Sequence, residues 1–351
     1  MLGFSGVDVP PELRSLAREF DLGGVILFGR NVQAPEQVAD LVHQLRQLGS
    51  EQPPWIAVDQ EGGRVARLRR PFTEWPPMAT LGRRGDVGVT RRFARALAGE
   101  LQLMGISLDF APVLDVHTNP ANPVIGDRAI SEKADIVAEH GRAIIETLQQ
   151  AGIAACGKHF PGHGDTSTDS HHTLPLVEHP LERLRAVELV PFRAAIDAGV
   201  ASIMTAHVLV TSLDDARPAS LSRRIVHDLL REELKFEGLI VSDDLEMRAV
   251  ADACTLEQSA VLAIEAGCDV VLLCGADQSR QAAALEGLVR AVESERLSCK
   301  QIDEVLMRHR RVRERFLPAT IGWRPPSPAV LRAALGNEEH QAIAEEMRHY
   351  A

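Results

Sequence analysis

Two stretches of the sequence combine residue types that could carry chemistry, and the first lies at 157–175. It reads GKHFPGHGDTSTDSHHTLP, a loop-forming composition with four histidines and two aspartates. A histidine and an aspartate separated by one residue can form a carboxylate–imidazole pair that transfers protons near neutral pH. Both types are also zinc ligands, and such histidines can simply cap turns. The Pro-Gly between His159 and His163 breaks any helix that would align two ligands. Proton transfer is therefore favoured, and the metal and structural interpretations stay open.

The second stretch, 237–247, reads EGLIVSDDLEM, and its apolar run ends abruptly in Asp243 and Asp244. Successive strand side chains point to opposite faces, so we expect only one of these carboxylates to face a site at the strand end. That carboxylate could be a nucleophile, a metal ligand or a stabiliser of an oxocarbenium ion. We expect the other aspartate to cap the following helix.

The elements that must position these residues are short apolar runs alternating with amphipathic segments. Strands buried on both faces read as continuous apolar runs, and helical connections force parallel pairing. Eight such units predict a single-domain (β/α)8 TIM barrel, in the α/β class. An open doubly wound sheet is the rival, but neither GxGxxG nor GxxxxGK[ST] occurs, which argues against nucleotide binding. The eight candidate strands are 2–7, 23–28, 55–58, 108–116, 154–160, 202–207, 238–242 and 270–274.

Several of these runs end in polar, reactive side chains. In a barrel the carboxyl ends of all strands converge on one face, where the active site is built. Clustering of this kind predicts a site rather than loop ends that are merely solvated. The residues concerned are Asp59, Glu61, Asp115, Lys158, His159, His207, Asp243 and Asp244.

Composition excludes several classes of partner. The net charge is −11, and nucleic acids and anionic membranes are bound through excess Lys and Arg, so we expect neither partner. Five cysteines without a CxxC pair are typical of reduced, buried thiols. Neither a secretory signal nor an apolar run approaching about 18 residues is present, so we expect a cytoplasmic protein.

Seven motifs taken in order closely resemble glycoside hydrolase family 3, and within it the bacterial β-N-acetylglucosaminidases that recycle peptidoglycan. These motifs are VDQEGGRVARL, FAPVLDV, IGDRAIS, KHFPGHG, DSH, MTAHV and GLIVSDDLEM, spread over residues 23–275. The resemblance implies retaining removal of terminal β-linked N-acetylglucosamine. It also implies a natural substrate of N-acetylglucosaminyl-anhydromuramic acid, with or without its peptide, and no metal or organic cofactor. We expect a monomer.

The resemblance also implies roles for individual residues. Asp243, which follows Ser242 at a strand end, matches the family's nucleophile. His171 matches the acid/base of this subgroup, and Asp169 matches the aspartate that pairs with it. Matches to sugar-binding positions fall on Asp59, Arg67, Arg128, Lys158 and His159.

We expect the barrel to occupy residues 1–317 and a helical extension packed on it to occupy residues 318–351. The stretch LGNEEHQAIAEE resembles the helix that leads into a second α/β domain in larger relatives, a domain we expect this chain to lack. Other functions stay open: a β-glucosidase or a β-glucosaminide phosphorylase of the same family, a metal-dependent hydrolase using the loop histidines, and a sugar-binding barrel without turnover.

Overall fold

Seven parallel strands follow one another around a curled sheet, and two further strands form a second, parallel sheet. The computed structural model describes residues 1–49, 52–168, 170, 174–317 and 322–351. The strands are β1 Gly24–Leu27, β2 Trp55–Val58, β3 Leu108–Asp109, β4 Ala154–Phe160, β5 Leu176–Val177, β6 Ser202–Thr205, β7 Leu209–Val210, β8 Leu239–Asp244 and β9 Val270–Leu272. The order around the curled sheet is β1-β2-β3-β4-β6-β8-β9, and the second sheet pairs β5 with β7.

The chain start closes this sheet into a barrel. Leu2 bridges in parallel to Val25 of β1 on one side and to Leu273, next to β9, on the other. Its N–H donates to the Gly24 carbonyl, and its own carbonyl accepts from Ile26. Residues around Leu2 thus take the place of the eighth strand, and the predicted (β/α)8 barrel is confirmed.

Helices surround the barrel, and their ends follow local chemistry. For example, Thr255 and Gln258 form a reciprocal capping box at the start of α9, which satisfies two otherwise unpaired N–H groups. Gly267 ends the same helix at a φ of 116°, a conformation that glycine adopts without steric cost. The helices are α1 Pro11–Phe20, α2 Pro35–Leu45, α3 Ala79–Arg84, α4 Val87–Leu103, α5 Ala134–Gln150, α6 Leu181–Ala186, α7 Leu189–Asp197, a π-helix Arg224–Glu233, α8 Arg248–Ala251, α9 Leu256–Ala266, α10 Gln278–Glu293, α11 Cys299–Phe316, α12 Pro328–Ala334 and α13 Glu338–Arg348.

Three local predictions differ from the structure. The predicted strand 108–116 is regular only over β3, because Pro112 cannot donate a ladder hydrogen bond, although Leu114 N–H still donates to the Lys158 carbonyl. Residues 181–198, whose sequence pattern predicts one helical stretch between two strands, form two helices, α6 and α7. Pro191 has no N–H for the Val187 carbonyl, so the helical ladder is interrupted there. Strands β5 and β7 were not predicted, because two-residue strands leave no periodicity.

The last two described helices pack against the outside of the barrel, α12 on α2 and α13 on α3 and α4. Glu100 of α4 is buried and accepts hydrogen bonds from Gly336 N–H and His340 Nδ1 at 2.9 and 3.0 Å. Its carboxylate also accepts the Thr73 hydroxyl at 2.7 Å. One buried carboxylate therefore joins this helical pair to the barrel.

The five cysteines are all free thiols. Cys156 and Cys268 are buried as expected, but Cys299 at the start of α11 is exposed. Among the described residues, no helix is both long and apolar enough to cross a membrane.

Candidate active site

The carboxyl ends of the barrel strands surround a cavity of about 320 Å³, which is within the size range of small-molecule sites. Apolar side chains, including Phe28, Phe110 and Met204, form part of its wall. Two of the predicted site residues, Asp169 and His171, lie outside the described residues. The other six all line the cavity: Asp59, Arg67, Arg128, Lys158, His159 and Asp243.

Lys158 is the most deeply buried cation of the cavity, with 2% of its side chain exposed. Its Nζ lies 2.7 Å from Asp59 Oδ1 and 2.6 Å from Glu61 Oε1. Burial alone would lower the pKa of Lys158, but the two carboxylates outweigh it and raise that pKa above its usual value. An ammonium has three N–H donors, so one of them is left for a ligand oxygen.

Two arginines flank this lysine, and each is held by a carboxylate. Arg128 donates to both oxygens of Glu61, from Nε at 2.9 Å and from Nη2 at 2.8 Å, the bidentate geometry that fixes a guanidinium most firmly. Arg67 Nη2 lies 3.2 Å from Asp59 Oδ2, and its guanidinium lies over the Phe28 ring, 5.4 Å from the centroid. The cations are thus fixed before any ligand binds.

The same cations keep the two carboxylates ionised. Burial alone would raise the pKa of Glu61, but Lys158 and Arg128 outweigh it and hold that pKa far below its usual value. Lys158 and Arg67 lower the pKa of Asp59 against the same opposing effect of burial.

His159 follows Lys158 directly, and both side chains line the cavity. In a regular strand they would point to opposite faces, but the pairing of β4 with β6 shifts register between Lys158 and Phe160. The ring of His159 is fixed by its Nδ1, which lies 2.7 Å from Asp115 Oδ2. Asp115 is fully buried and also accepts the His163 N–H at 2.6 Å.

Asp243 and Asp244 both line the cavity, at the end of β8. The prediction that only one aspartate would face the site is wrong, because the pairing of β8 with β9 shifts register between Val241 and Asp244. The expected helix cap is also absent, since Met247 precedes α8 without a side-chain cap. Asp244 instead accepts the N–H groups of Glu246 and Cys274, both at 3.1 Å.

The surroundings shift the pKa values of these two neighbouring carboxyl groups in opposite directions. Burial alone would raise the pKa of Asp243. That pKa is nevertheless lowered, by the charges of His207, His159 and Lys158 and by the hydrogen bond that Asp244 N–H donates to Asp243 at 2.8 Å. Burial dominates at Asp244 and raises its pKa to about 6. Asp243 is therefore an ionised carboxylate at neutral pH. A carboxylate held in this way, beside fixed cations that can hydrogen-bond a polyhydroxylated ligand, is suited to nucleophilic attack on an electrophilic carbon.

Glu61 and Asp115 had been noted only as polar strand ends and belong to the site as partners of Arg128 and His159. Their signal was present in the sequence, as acids at or near the ends of apolar runs. Asp109 was missed because it lies inside the predicted strand 108–116, whereas in the structure β3 ends at this residue. It is completely buried, burial raises its pKa well above the usual value, and its Oδ1 accepts Gln60 N–H at 2.9 Å. Within the described part of the chain, no group of three or more His, Cys, Asp and Glu residues is arranged to hold a metal ion.

Comparison with known proteins gives consistent matches. A model of the glycosyl hydrolase family 3 N terminal domain matches residues 4–312. The chain is 39% identical to Beta-hexosaminidase of Nitrosomonas eutropha, over 85% of this chain and 88% of that protein. It is 36% identical to Beta-hexosaminidase A of Pseudoalteromonas piscicida, over 97% of this chain but only 60% of that protein.

Among solved structures, a glycoside hydrolase family 3 beta-N-acetylglucosaminidase from Paenibacillus sp. str. FPU-7 is similar over the full length of this chain. The TM-score is 0.94, the sequence identity is 40%, and the match covers 66% of that chain. This chain therefore spans 60% and 66% of two of these relatives, less than two thirds in each case, and 88% of the third.

Proposed function

Since the chain belongs to glycosyl hydrolase family 3, we propose that it is a retaining exo-glycosidase that removes terminal, non-reducing β-linked N-acetylglucosamine. The observation that carries this proposal is the ionised Asp243 carboxylate in a cavity that also holds Lys158 and Arg128. The names of the similar beta-hexosaminidases support the choice of sugar.

In the proposed first step, an Asp243 oxygen forms a bond to the anomeric carbon as the bond from that carbon to the leaving oxygen breaks. The leaving oxygen takes a proton from His171, whose charged form Asp169 stabilises. In the second step water attacks the anomeric carbon, His171 takes a proton from it, and the bond to Asp243 breaks. The β-configuration is retained, and both side chains return to their starting forms.

We assign sugar binding to Asp59, Arg67, Arg128, Lys158 and His159. Lys158 has one N–H left for an oxygen of the sugar once Asp59 and Glu61 have used two. The arginines are fixed by ion pairs, which lowers the entropy lost when they bind a ligand. Binding energy can then be directed to the transition state instead of to ordering side chains.

Several finer proposals follow from the resemblance to enzymes that recycle peptidoglycan. The natural substrate is N-acetylglucosaminyl-anhydromuramic acid with or without its peptide, and the protein acts as a cytoplasmic monomer. The catalytic unit comprises residues 1–317, with 318–351 as a packed extension. The hydrogen bonds from Gly336 and His340 to the buried Glu100 of the barrel support the packing of this extension.

A comparison of two substrates tests the reaction. We expect turnover of 4-nitrophenyl N-acetyl-β-glucosaminide, with the β-anomer as the first product by NMR, and little turnover of the β-glucoside. Asp243→Asn should lower kcat by about 10³-fold or more, whereas Asp252→Asn, an exposed control at the end of α8, should leave kcat unchanged. An α-anomer as the first product, or full activity of Asp243→Asn, would contradict the proposal.

A further inference from the structure

The loop after β4 contains a buried histidine to which the proposed mechanism gives no task. His163 is 1% exposed, and both of its ring nitrogens have partners. Its Nδ1 lies 2.7 Å from Thr166 Oγ1, and its Nε2 lies 3.1 Å from Ser170 Oγ. The Thr166 hydroxyl donates its only proton to the His163 carbonyl at 3.1 Å. Nδ1–H therefore donates to the Thr166 oxygen, and Nε2 accepts the Ser170 hydroxyl proton.

This arrangement needs a neutral imidazole, since a protonated ring has no acceptor nitrogen. Burial lowers the pKa of His163 to about 4, against the opposing charge of Asp115. The ring is therefore neutral across the range in which most enzymes work, and Nε2 keeps its lone pair for Ser170.

Ser170 has a second anchor, in α8. Its carbonyl accepts the N–H of Ala249 in α8 at 3.3 Å, and α8 directly follows the strand that carries Asp243. Ser170 is 2% exposed and lines the cavity. It thus connects the loop after β4 to the turn after β8 at the cavity wall.

We propose that His163 is a positioning residue, which holds Ser170 at the cavity wall and thereby places the acid/base dyad for proton transfer. The inference rests on the proposed function, because it names what positions Asp169 and His171. Both residues are joined to Ser170 by peptide bonds, which hold consecutive Cα atoms about 3.8 Å apart. A shift of Ser170 by even 1 Å therefore moves both of its neighbours, and small misplacements of a proton donor slow reactions strongly.

The base of the same loop is held independently. Asp165 accepts the Thr118 hydroxyl at 2.7 Å and lies 2.5 Å from His179 Nε2. Ser212 donates to the carbonyl of the same His179 at 2.7 Å, in an exposed hydrogen bond. Ser212→Ala therefore removes one hydroxyl hydrogen bond from the residue that contacts Asp165, without touching the contact between His163 and Ser170, and it serves as a control.

The test compares substrates that differ in how much they need an acid. The leaving group of 4-methylumbelliferyl N-acetyl-β-glucosaminide must be protonated for fast hydrolysis. The 2,4-dinitrophenyl N-acetyl-β-glucosaminide has much less need of an acid, because its phenolate leaves unaided. For Ser170→Ala we expect kcat/KM to fall about fivefold to tenfold with the first substrate, the size of one lost hydrogen bond, and less than twofold with the second. His163→Gln should show the same selectivity, Ser170→Thr should restore activity, and Ser212→Ala should match the unaltered protein.

Equal losses with both substrates, or no loss with either, would overturn the positioning role, because misfolding affects both reactions alike and an idle contact affects neither. A failure of Ser170→Thr to recover would also contradict it if thermal unfolding shows that the variant is folded. The unaltered protein is measured first. If it cleaves neither N-acetylglucosaminide, the proposed function itself fails and the positioning role falls with it, an outcome distinct from a failure of the positioning role alone.

Discussion

Replacement of Lys158 by methionine tests how the cavity is held together. Methionine keeps the length and most of the apolar stem of lysine but removes the ammonium that lies between Asp59 and Glu61 at 2.7 and 2.6 Å. Those carboxylates keep Arg67 and Arg128 as partners, so neither loses all compensation. Removal of one partner from a buried ion pair typically costs about 3–5 kcal/mol. We expect the free energy of unfolding of Lys158→Met to fall by that amount at pH 7.

The loss should depend on pH, and the lowered pKa values give its sign. The cations stabilise the ionised forms of Asp59 and Glu61, so this stabilisation is present at neutral pH and disappears as the pH falls through the folded-state pKa values. In Lys158→Met both carboxyls protonate more readily, which relieves the uncompensated charge. The difference in stability from the unaltered protein should therefore be smaller at pH 4.5 than at pH 7.

The assay is equilibrium unfolding in urea at both pH values, with Lys133→Met as the control. Lys133 is exposed, and surface substitutions usually change stability by less than about 0.5 kcal/mol. A loss below about 1 kcal/mol at pH 7, or an equal loss at both pH values, would refute the reasoning.

Three further predictions concern other buried carboxyls. Burial raises the pKa of Asp244 to about 6. Its favourable contribution to stability is therefore present below about pH 4 and is lost as the pH rises past 6. Urea titrations should show that Asp244→Asn gains stability relative to the unaltered protein over that range. Glu100→Ala should lower the free energy of unfolding by about 2–4 kcal/mol and make α12 and α13 sensitive to limited proteolysis. If these helices resist proteolysis as well as they do in the unaltered protein, Glu100 does not hold them. Asp115→Ala leaves the N–H groups of His159 and His163 without their carboxylate and should lose about 3 kcal/mol of stability, together with most activity.

The barrel could be predicted from the sequence because its strands are buried on both faces. A continuous apolar run such as 55–58 has few alternatives, and all four residues of β2 are buried. The chain start was harder, since the run 2–7 contributes a single bridging residue, Leu2, that closes the sheet. The short strands β5 and β7 left no signal, because their pairing depends on contacts distant in sequence.

The candidate site was predictable in its members but not in its geometry. Polar residues at strand ends indicated Asp59, Lys158 and Asp243, all of which line the cavity. Alternation along a strand gave the wrong result for Asp243 and Asp244, because register shifts depend on the neighbouring strand and not on the local sequence. The completely buried Asp109 was missed because it lies inside the predicted strand 108–116 and not at its end, where polar residues indicated a site.

The most direct test of the nucleophile is a covalent trap. We expect incubation with a 5-fluoro N-acetylglucosaminyl fluoride to add the mass of one sugar to the intact protein, because the 5-fluoro group slows release of the intermediate. Peptide mapping should then place the adduct on Asp243, within residues 238–247, and Asp243→Asn should remain unlabelled while Asp244→Asn still reacts. An adduct on Asp244 or on another residue, or inactivation without a covalent sugar, would contradict the assignment of Asp243 as the nucleophile.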